Sequence, residues 1–300
     1  MEGTGIFLRA FFLGGKGTLA FCAVSRKKLG VKEYGALMHN RTPTALITGA
    51  SGGIGYELAK LFANDHHNLV LVARSGPKLT QFADELERQF GISAKPVALD
   101  LTAAAAPQFL FDQLRREGIA VDILVNNAGY AQYGEFAAVP LEEHLGQIQL
   151  NVSALTVLTK LFLGPMLEKR AGRIMNVAST AGFQAGPLMA VYYATKGYVI
   201  LFSEALANEL QKSGVTVTCL CPSATETGFA KRTGNERTRI FASLRPMGAK
   251  TVARAGYRGL MRGKTLVIPG VRNWLTVESV RLAPRKMVTA ASRWVSETVE

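Results

Sequence analysis

The sequence predicts an α/β fold, a doubly wound parallel β-sheet with helices on both faces. Short apolar segments of strand length alternate with segments of helical periodicity from about residue 43 to about residue 270. This alternation is typical of parallel sheets with right-handed crossover connections. In addition, the first strand leads directly into a glycine-rich turn and a helix, which is a usual start of such a domain.

Length and composition favour one large domain with an additional segment at each end. A chain of 300 residues, 48% of them hydrophobic, can bury a sizeable core. We assign residues 41–270 to a single catalytic domain, residues 1–40 to an N-terminal extension and residues 271–300 to a basic amphipathic tail. The N-terminal extension has no acidic residue from Gly3 to Lys32. It is an anchor or targeting segment, or it precedes a true start at Met38.

The net charge of +13 belongs to the two ends of the chain. Residues 1–40 contain six basic and two acidic residues, and residues 231–300 contain fifteen and four. The nearly neutral body disfavours nucleic-acid binding, which would depend strongly on charge. Basic ends fit peripheral contact with a membrane surface. The alternative is an ordinary basic surface that is simply solvated by water. We expect a cytoplasmic protein, with a peripheral membrane location as the alternative.

The cysteines and histidines predict no metal site. Cys219 and Cys221 lie two residues apart in an apolar segment and would point to one face of a buried strand as reduced thiols. A Cys-x-Cys metal half-site is the alternative, but no second half lies nearby. The four histidines have no ligand spacing.

The glycine-rich turn follows the strand at residues 44–48. Gly49, Gly53 and Gly55 have the spacing Gly-x3-Gly-x-Gly, and Ile54 starts the apolar face of the next helix. Backbone N–H groups and the helix dipole at such a junction attract phosphate groups. The turn therefore predicts the phosphate site of a Rossmann-like domain, formed by Thr48, Gly49, Ser51, Gly53, Ile54 and Gly55.

The second strand ends in Ala73-Arg74-Ser75. A domain that binds NAD usually offers an acidic residue to the ribose hydroxyls at this point. Arg74 and Ser75 instead suit a 2′-phosphate, by charge and by hydrogen bonding respectively. We therefore predict NADP(H) as the cofactor, although an ordinary exposed arginine would look the same. A later strand ends in Asn126-Asn127-Ala128-Gly129, which can approach an adenosine group closely.

Tyr192 and Lys196 are four residues apart, so they lie one turn apart on one helix face. A nearby ammonium lowers the pKa of a phenol towards the working range, which would make the pair an acid/base unit. By itself, the pair also fits a solvated helix face. Two polar residues precede it: Ser179 follows an apolar strand, and Asn151 lies in a helical stretch from Leu141 to about Lys169.

With these elements in this order, the chain resembles the short-chain dehydrogenase/reductase family over roughly residues 43–270. The resemblance rests on Thr48-Gly49-x3-Gly53-x-Gly55, Asp100, Asn126-Asn127-Ala128-Gly129, Ser179 and Tyr192-x3-Lys196. It implies an NADP(H)-dependent oxidoreductase that interconverts a carbonyl and a secondary alcohol by hydride transfer, on a small to medium apolar substrate. The alternatives are a 3-oxoacyl or ketosteroid reductase at a membrane surface and a non-catalytic NADP(H)-binding sensor or scaffold.

The resemblance also implies a role for each matched residue. Tyr192 would exchange a proton with the substrate oxygen, and Lys196 would lower its pKa and bind the nicotinamide ribose. Ser179 would hold the carbonyl oxygen, and Asn151 would position a water that links Lys196 to solvent. The remaining cofactor contacts would come from Asp100, Leu101, Asn127, Ala128 and Gly129 on the adenosine side and from Pro222, Thr225 and Thr227 near the nicotinamide.

Three further expectations concern the rest of the domain. Residues 228–249 would form a mobile lid, and Phe183, Pro187, Leu188 and Met189 would line an apolar pocket. A last strand and its exit turn would occupy residues 263–270, followed by a terminal helix in which Met287, Ala291 and Trp294 recur at helical spacing. That helix would pack on its own domain or a partner subunit, or would lie on anionic lipid. By analogy with the family, we expect a homo-oligomer, a dimer or tetramer, paired through helices near residues 151–169 and 192–212.

Overall fold

The computed structural model describes residues 41–242 and 246–298, with side chains except those of residues 241 and 242. The predicted N-terminal extension at residues 1–40, the lid residue Arg245 and the side chain of Phe241 lie outside the described residues. The division of the chain into an extension, a domain and a tail therefore stays a prediction.

The centre of the domain is a sheet of seven parallel strands in the order β3-β2-β1-β4-β5-β6-β9. β7 and β8 pair separately. The strand bounds are β1 (Thr44–Thr48), β2 (Asn68–Ala73), β3 (Ala94–Ala98), β4 (Ile123–Asn126), β5 (Gly172–Val177), β6 (Val215–Leu220), β7 (Thr225–Glu226), β8 (Met247–Gly248) and β9 (Leu266–Val267). The reversal of strand order between β1 and β4 confirms the predicted doubly wound sheet and opens a crevice at the carboxyl ends of these strands.

Helices cover both faces of the sheet. Their bounds are α1 (Gly53–Asn64), α2 (Gly76–Phe90), α3 (Ala106–Arg116), α4 (Leu141–Ile148), α5 (Leu155–Lys169), α6 (Ala190–Glu209), α7 (Phe229–Thr233), α8 (Arg239–Ala242), α9 (Ala249–Met261), α10 (Val271–Leu282) and α11 (Arg285–Ser296). A π-helical segment, Gln149–Ala154, joins α4 to α5, and a 3₁₀ turn, Thr180–Phe183, follows β5.

The strands are apolar throughout because both faces of the sheet are buried. In β1, Ala45 and Ile47 point to the core layer of α1, α2 and α9, whereas Leu46 points to the layer of α3, α5 and α6. Phe62 on α1 and Leu158 on α5 are among the fully buried side chains of the two layers. Burial of one such side chain contributes about 1.5–3 kcal/mol, so these layers hold the sheet and the crevice in place.

Several predicted elements differ in extent from the observed ones. The helix expected from Leu141 to about Lys169 is interrupted by the π-helical segment. The last strand lies within the segment 263–270 predicted for a strand and its exit turn, but it is only two residues long, because only Leu266 and Val267 pair with β6. The predicted lid contains α7, α8 and β8.

Leu141–Lys169 is the stretch of the described chain that is long and apolar enough to cross a membrane. Its α5 part supplies Leu158, Phe162 and Met166 to the core of the domain. Core helices meet the same length and composition test, so this stretch does not by itself indicate a membrane span.

The cysteines share one buried cluster, with Cys219 in β6 and Cys221 directly after it. Cys219 and Cys221 are fully buried, with their sulfur atoms 3.6 Å apart. Burial and the neighbouring Cys219 raise the pKa of the Cys221 thiol, so it stays protonated.

Candidate active site

A cavity of about 870 Å³ occupies the crevice at the carboxyl ends of the strands. Its walls contain all the predicted site residues except Thr48, Gly55 and Asn151. The structure therefore brings together side chains that are up to about 180 positions apart in the sequence, because parallel strands deliver their carboxyl ends to one edge of the sheet.

Thr48 and Gly55 build the glycine-rich turn instead of lining the cavity. The Thr48 hydroxyl accepts hydrogen bonds from the backbone N–H groups of Asn127, at 3.0 Å, and Ala128, at 2.9 Å. The Asn127 amide nitrogen donates to the Thr48 carbonyl at 2.8 Å. A Cβ atom at Gly55 would lie 2.5 Å from both this amide nitrogen and the Gly49 carbonyl oxygen. Glycine at this position is therefore required by protein packing.

The N-terminus of α1 fits a phosphate group. No side chain caps this helix at Gly52, and its first turn contains no acidic residue, so its N–H groups and dipole are free to attract an anion. Gly52 lines the cavity, and a Cβ atom there would have no neighbour within 4 Å. The open space in front of Gly52 is thus available to a ligand. Gly52 was not predicted as a site residue, because it occupies one of the variable positions between Gly49 and Gly53 in the Gly-x3-Gly-x-Gly motif.

Arg74 and Ser75 follow β2 at the far end of the cavity, together with Lys78. Within residues 41–242 and 246–298, no carboxylate forms an ion pair with Arg74 or Lys78. Asp100 accepts hydrogen bonds from the N–H and hydroxyl groups of Thr102 at 3.0 and 2.8 Å, so its carboxylate shapes the turn after β3. The two cations fit a phosphate on the ribose, and Lys78 adds a charge that the sequence analysis missed.

Tyr192 lies near the start of α6 and is 9% exposed. Burial raises the pKa of its phenol, and a hydrogen bond with Ser179 opposes that rise. We expected Lys196 to lower the Tyr192 pKa, but in this structure the pKa of Tyr192 is raised because burial outweighs every other effect. The phenol is therefore protonated at neutral pH and can act as an acid.

Lys196 is buried one helical turn from Tyr192. Its Nζ atom donates a hydrogen bond to the Val177 carbonyl at 2.8 Å and lies 5.7 Å from the centre of the Tyr192 ring. Burial lowers the pKa of Lys196 to about 8. The side chain still carries a proton at neutral pH, but it loses that proton much more readily than an exposed lysine does.

Asn151 lies in the π-helical segment, is 1% exposed and does not line the cavity. Its side-chain nitrogen donates to the Tyr130 carbonyl at 3.0 Å and to the Thr195 hydroxyl at 3.1 Å, and its oxygen accepts from the Tyr130 N–H. The Thr195 hydroxyl in turn donates to the Tyr192 carbonyl at 2.7 Å. Asn151 thus fixes the helix that carries Tyr192. Its expected role in positioning a water stays a prediction.

A buried polar network below the site was missed by the sequence analysis. The Asn126 amide nitrogen donates to Thr159 at 3.0 Å and to Asn176 at 2.9 Å, and the Asn176 amide nitrogen donates to Ser203 at 3.0 Å. These contacts join β4, β5, α5 and α6, so they hold the strand that precedes Ser179 against the helix of Tyr192. Asparagine near the ends of two neighbouring apolar strands is the signal that could have revealed it.

The substrate side of the cavity is formed mainly by aromatic side chains. Tyr133, Met189, Tyr193 and Phe229 line it, with Ser296 of α11. Of the residues expected to line the apolar pocket, only Met189 does so. Phe183 packs against the buried cluster that contains Val199 and the cysteines, and Pro187 and Leu188 line a separate cavity of about 240 Å³. The turn after Ser179 folds back onto α6, which takes Phe183 away from the cavity.

The predicted nicotinamide loop and lid also reach the cavity. Pro222, Thr225 and Thr227 line it, as do Lys231 and Arg232 of α7. The Thr225 hydroxyl donates to the Ser223 carbonyl at 2.7 Å, which helps to fix the path of this loop.

Comparisons with known proteins agree with this geometry. A family model described as short chain dehydrogenase matches residues 43–238. The very-long-chain 3-oxoacyl-CoA reductase of Bos taurus is 34% identical over 193 residues, which are 62% of this chain and 61% of that protein. The present chain thus aligns with about three fifths of that relative. A ketoacyl reductase of Nostoc sp. is 31% identical over 75% of this chain and 77% of its own length.

Among solved structures, a short-chain dehydrogenase from Sphingobium yanoikuyae in complex with NADPH has a TM-score of 0.72 and 34% sequence identity. The match covers 80% of this chain and 94% of that structure. The fold is therefore shared with proteins of this kind.

Proposed function

Because this chain belongs to the short-chain dehydrogenase family, we propose that it is an NADP(H)-dependent reductase that converts the carbonyl of an apolar substrate to a secondary alcohol. The observation that carries the proposal is the arrangement of Ser179, Tyr192 and Lys196 in the same cavity as the uncapped N-terminus of α1. A sensor or scaffold that only bound the dinucleotide would have no use for a buried acid beside a serine hydroxyl. This disfavours the non-catalytic alternative.

In the proposed reaction, each side chain has one task. Ser179 and Tyr192 both line the cavity. The Ser179 hydroxyl donates to the Pro222 carbonyl at 3.3 Å, and once it turned towards a carbonyl oxygen bound beside Tyr192, that oxygen would receive two hydrogen bonds. Tyr192 would then give its proton to this oxygen as negative charge develops there. When bound, the dihydronicotinamide would supply the hydride. The ammonium of Lys196 stabilises the phenolate that remains. Burial keeps the Tyr192 phenol protonated at neutral pH, which is the state that reduction requires, and NADPH as the cofactor would favour that direction.

The preference for NADP(H) rests on the residues that follow β2. Arg74, Ser75 and Lys78 provide two cations and a hydroxyl at the adenosine end of the cavity. An arginine guanidinium binds phosphate oxygens more strongly than neutral donors do. In the same position an acidic residue would favour the unmodified ribose of NAD.

A 3-oxoacyl thioester is the second candidate substrate. It is favoured by the names of the relatives from Bos taurus and Nostoc and by Lys231 and Arg232, which add positive charge to the cavity wall. Such charges fit the anionic end of an acyl carrier. A ketosteroid remains the third candidate, since the aromatic wall fits any bulky apolar carbonyl compound.

We also propose a cytoplasmic homo-oligomer, dimer or tetramer, with peripheral membrane contact. Exposed apolar side chains on the two helices expected to pair, Val157 and Leu167 of α5 and Tyr198 and Leu201 of α6, support self-association through these helices. The interface would bury apolar surface that a monomer leaves in water.

NADPH oxidation against ketones, aldehydes and 3-oxoacyl thioesters tests the proposed activity, with NADH in parallel. We expect turnover with NADPH and a loss of about 10²- to 10⁴-fold in Tyr192→Phe. Tyr198→Phe is the matched control, because Tyr198 lies on the same helix but its hydroxyl contacts Thr156 at the surface. Cofactor binding without turnover on any class of substrate would contradict the proposal.

A further inference from the structure

Helices α10 and α11 expose a set of large apolar side chains to solvent. We call this set the C-terminal surface; its members are 49–90% exposed and comprise Val271, Trp274, Leu275, Leu282, Met287 and Trp294. Single exposed apolar residues are common on proteins, but a contiguous group usually marks an interaction site.

The orientation of α11 is the reverse of that expected for a helix packed on its own domain. Ser292 and Ser296 are buried, whereas Met287 and Trp294 are 65% and 59% exposed. The buried Ser292 hydroxyl has no hydrogen-bond partner among the described residues. An amphipathic helix normally buries its apolar face, so this apolar face is presented to something outside the described domain.

Helix α10, which precedes α11, also exposes apolar side chains. Val271, Trp274, Leu275 and Leu282 recur at helical spacing on one face, while Val277 on the other face is 2% exposed. This inward face packs against the 3₁₀ turn that follows Ser179. The helix is therefore held by one side and leaves an apolar stripe on the other.

The charges around this stripe are predominantly positive. Residues 271–298 contain five basic and two acidic residues. Both acids are paired with arginine: Glu278 with Arg281 at 3.4 Å, and Glu297 with Arg239 at 2.9 Å. For Arg272, Arg285 and Lys286, the described chain offers no carboxylate partner.

We propose that the C-terminal surface docks on an anionic lipid bilayer. Apolar side chains that include tryptophan, flanked by unpaired basic residues, are the composition that binds the interface of such a membrane. A second copy of the chain fits less well. A two-fold interface through this surface would place the same positive patches against each other.

The C-terminal surface adjoins the cavity of the proposed reductase. The Tyr133 hydroxyl donates to the Ser296 carbonyl at 2.8 Å, and both residues line the cavity. Arg239 donates to the Trp294 carbonyl at 2.8 Å, which ties α11 to the lid. Resting on the proposed function, the inference therefore extends to the substrate: the carbonyl compound is one that partitions into the membrane.

Tryptophan fluorescence tests the docking directly, because Trp274 and Trp294 are the two tryptophans of the whole chain. The full-length protein is mixed with phosphatidylcholine vesicles, with and without phosphatidylglycerol, carrying normal or brominated acyl chains. We expect a blue shift and quenching by bromine only when phosphatidylglycerol is present. High salt should weaken both effects.

A charge-reversal pair supplies the matched control. Each basic residue near an anionic surface strengthens partitioning roughly fivefold, so Arg285→Glu/Lys286→Glu should weaken it by at least about 25-fold. Arg115→Glu/Arg116→Glu changes the net charge equally but alters exposed residues of α3, and it should bind like the wild type. Equal binding by the two double variants would overturn the proposal.

Two other results would overturn it as well. Vesicles could bind the protein while tryptophan emission stays unchanged, which would place the contact in another segment such as residues 1–40. A blue shift that grows with protein concentration without vesicles would instead identify a second copy as the occupant.

The readouts also separate this inference from the proposed activity. Tyr192→Phe should bind vesicles as the wild type does, whether or not the protein turns over any substrate. Arg285→Glu/Lys286→Glu should keep its turnover of a water-soluble ketone and lose turnover of a vesicle-borne ketone. Loss of both would indicate damage to the enzyme instead of the docking surface.

Discussion

Replacement of Arg74 by alanine is the sharpest test of the cofactor assignment. Arg74 is exposed at the end of β2, lines the cavity and forms no ion pair with the described residues, so its removal leaves no buried charge behind. A hydrogen bond to a charged group contributes about 1.5–3 kcal/mol. The exposure of Arg74 favours the lower limit, because solvent screens the interaction. We therefore expect Kd for NADPH to rise on the order of 10-fold in Arg74→Ala, with little change for NADH.

The assay is titration of both cofactors by protein fluorescence, together with the ratio of kcat/KM for NADPH and NADH. Arg88→Ala is the control, since Arg88 is an exposed arginine on α2 that contacts only the Asp84 carbonyl. Lys78 lines the same cavity as Arg74, so Arg74→Ala/Lys78→Ala should weaken NADPH binding further than Arg74→Ala alone. If Arg74→Ala weakened the binding of NADPH and NADH equally, Arg74 would not recognise a 2′-phosphate. Unchanged binding of NADPH would refute that role as well.

Three further predictions concern the proton donor, the glycine turn and the buried network. Burial lowers the pKa of Lys196 to about 8, and only the charged form of this lysine assists Tyr192. We therefore expect kcat/KM for reduction to fall as the pH rises through about 8. In Lys196→Arg, the residual activity should show no such fall. Gly55→Ala places a methyl group 2.5 Å from backbone and should destabilise the fold by about 1–3 kcal/mol in urea denaturation. Gly52→Ala should change the free energy of unfolding by no more than about 0.5 kcal/mol and should instead weaken cofactor binding. A similar loss of stability in both variants would contradict the open space at Gly52. Asn176→Leu, at a residue with no exposed surface, leaves buried partners unsatisfied and should cost about 1–3 kcal/mol of unfolding free energy, which an unchanged denaturation midpoint would disprove.

The positions of the site residues were predictable because they lie at strand ends. Once the alternation of strands and helices indicated a parallel sheet, Arg74, Ser179 and the Asn126–Gly129 segment had to meet at one edge. Tyr192 and Lys196 were predictable for a different reason, since a spacing of four places two residues on one helix face. In both cases a local period, combined with one rule of topology, was sufficient.

The same reasoning did not give the direction of the pKa shift at Tyr192. The sequence places Lys196 one turn from Tyr192, but the effect on the phenol depends on how deeply both groups are buried. Burial is a property of the whole packed domain, and here it raises the pKa that the lysine was expected to lower. The polar network of Asn126 and Asn176 was not predicted for a similar reason. Its members come from four separate elements, and only the folded domain brings them together.

The C-terminal helix separates what the sequence determined from what only the tertiary structure decided. Its periodicity predicted an apolar face containing Met287 and Trp294, because side chains at helical spacing share one side whatever surrounds them. Whether that face is covered depends on contacts with residues far away in the sequence. Tyr133 and Arg239 donate hydrogen bonds to the backbone carbonyls of Ser296 and Trp294. These bonds hold α11 with its serine face inward, which leaves the apolar face exposed. Local sequence thus specifies which residues share a face, and long-range packing decides which way that face points.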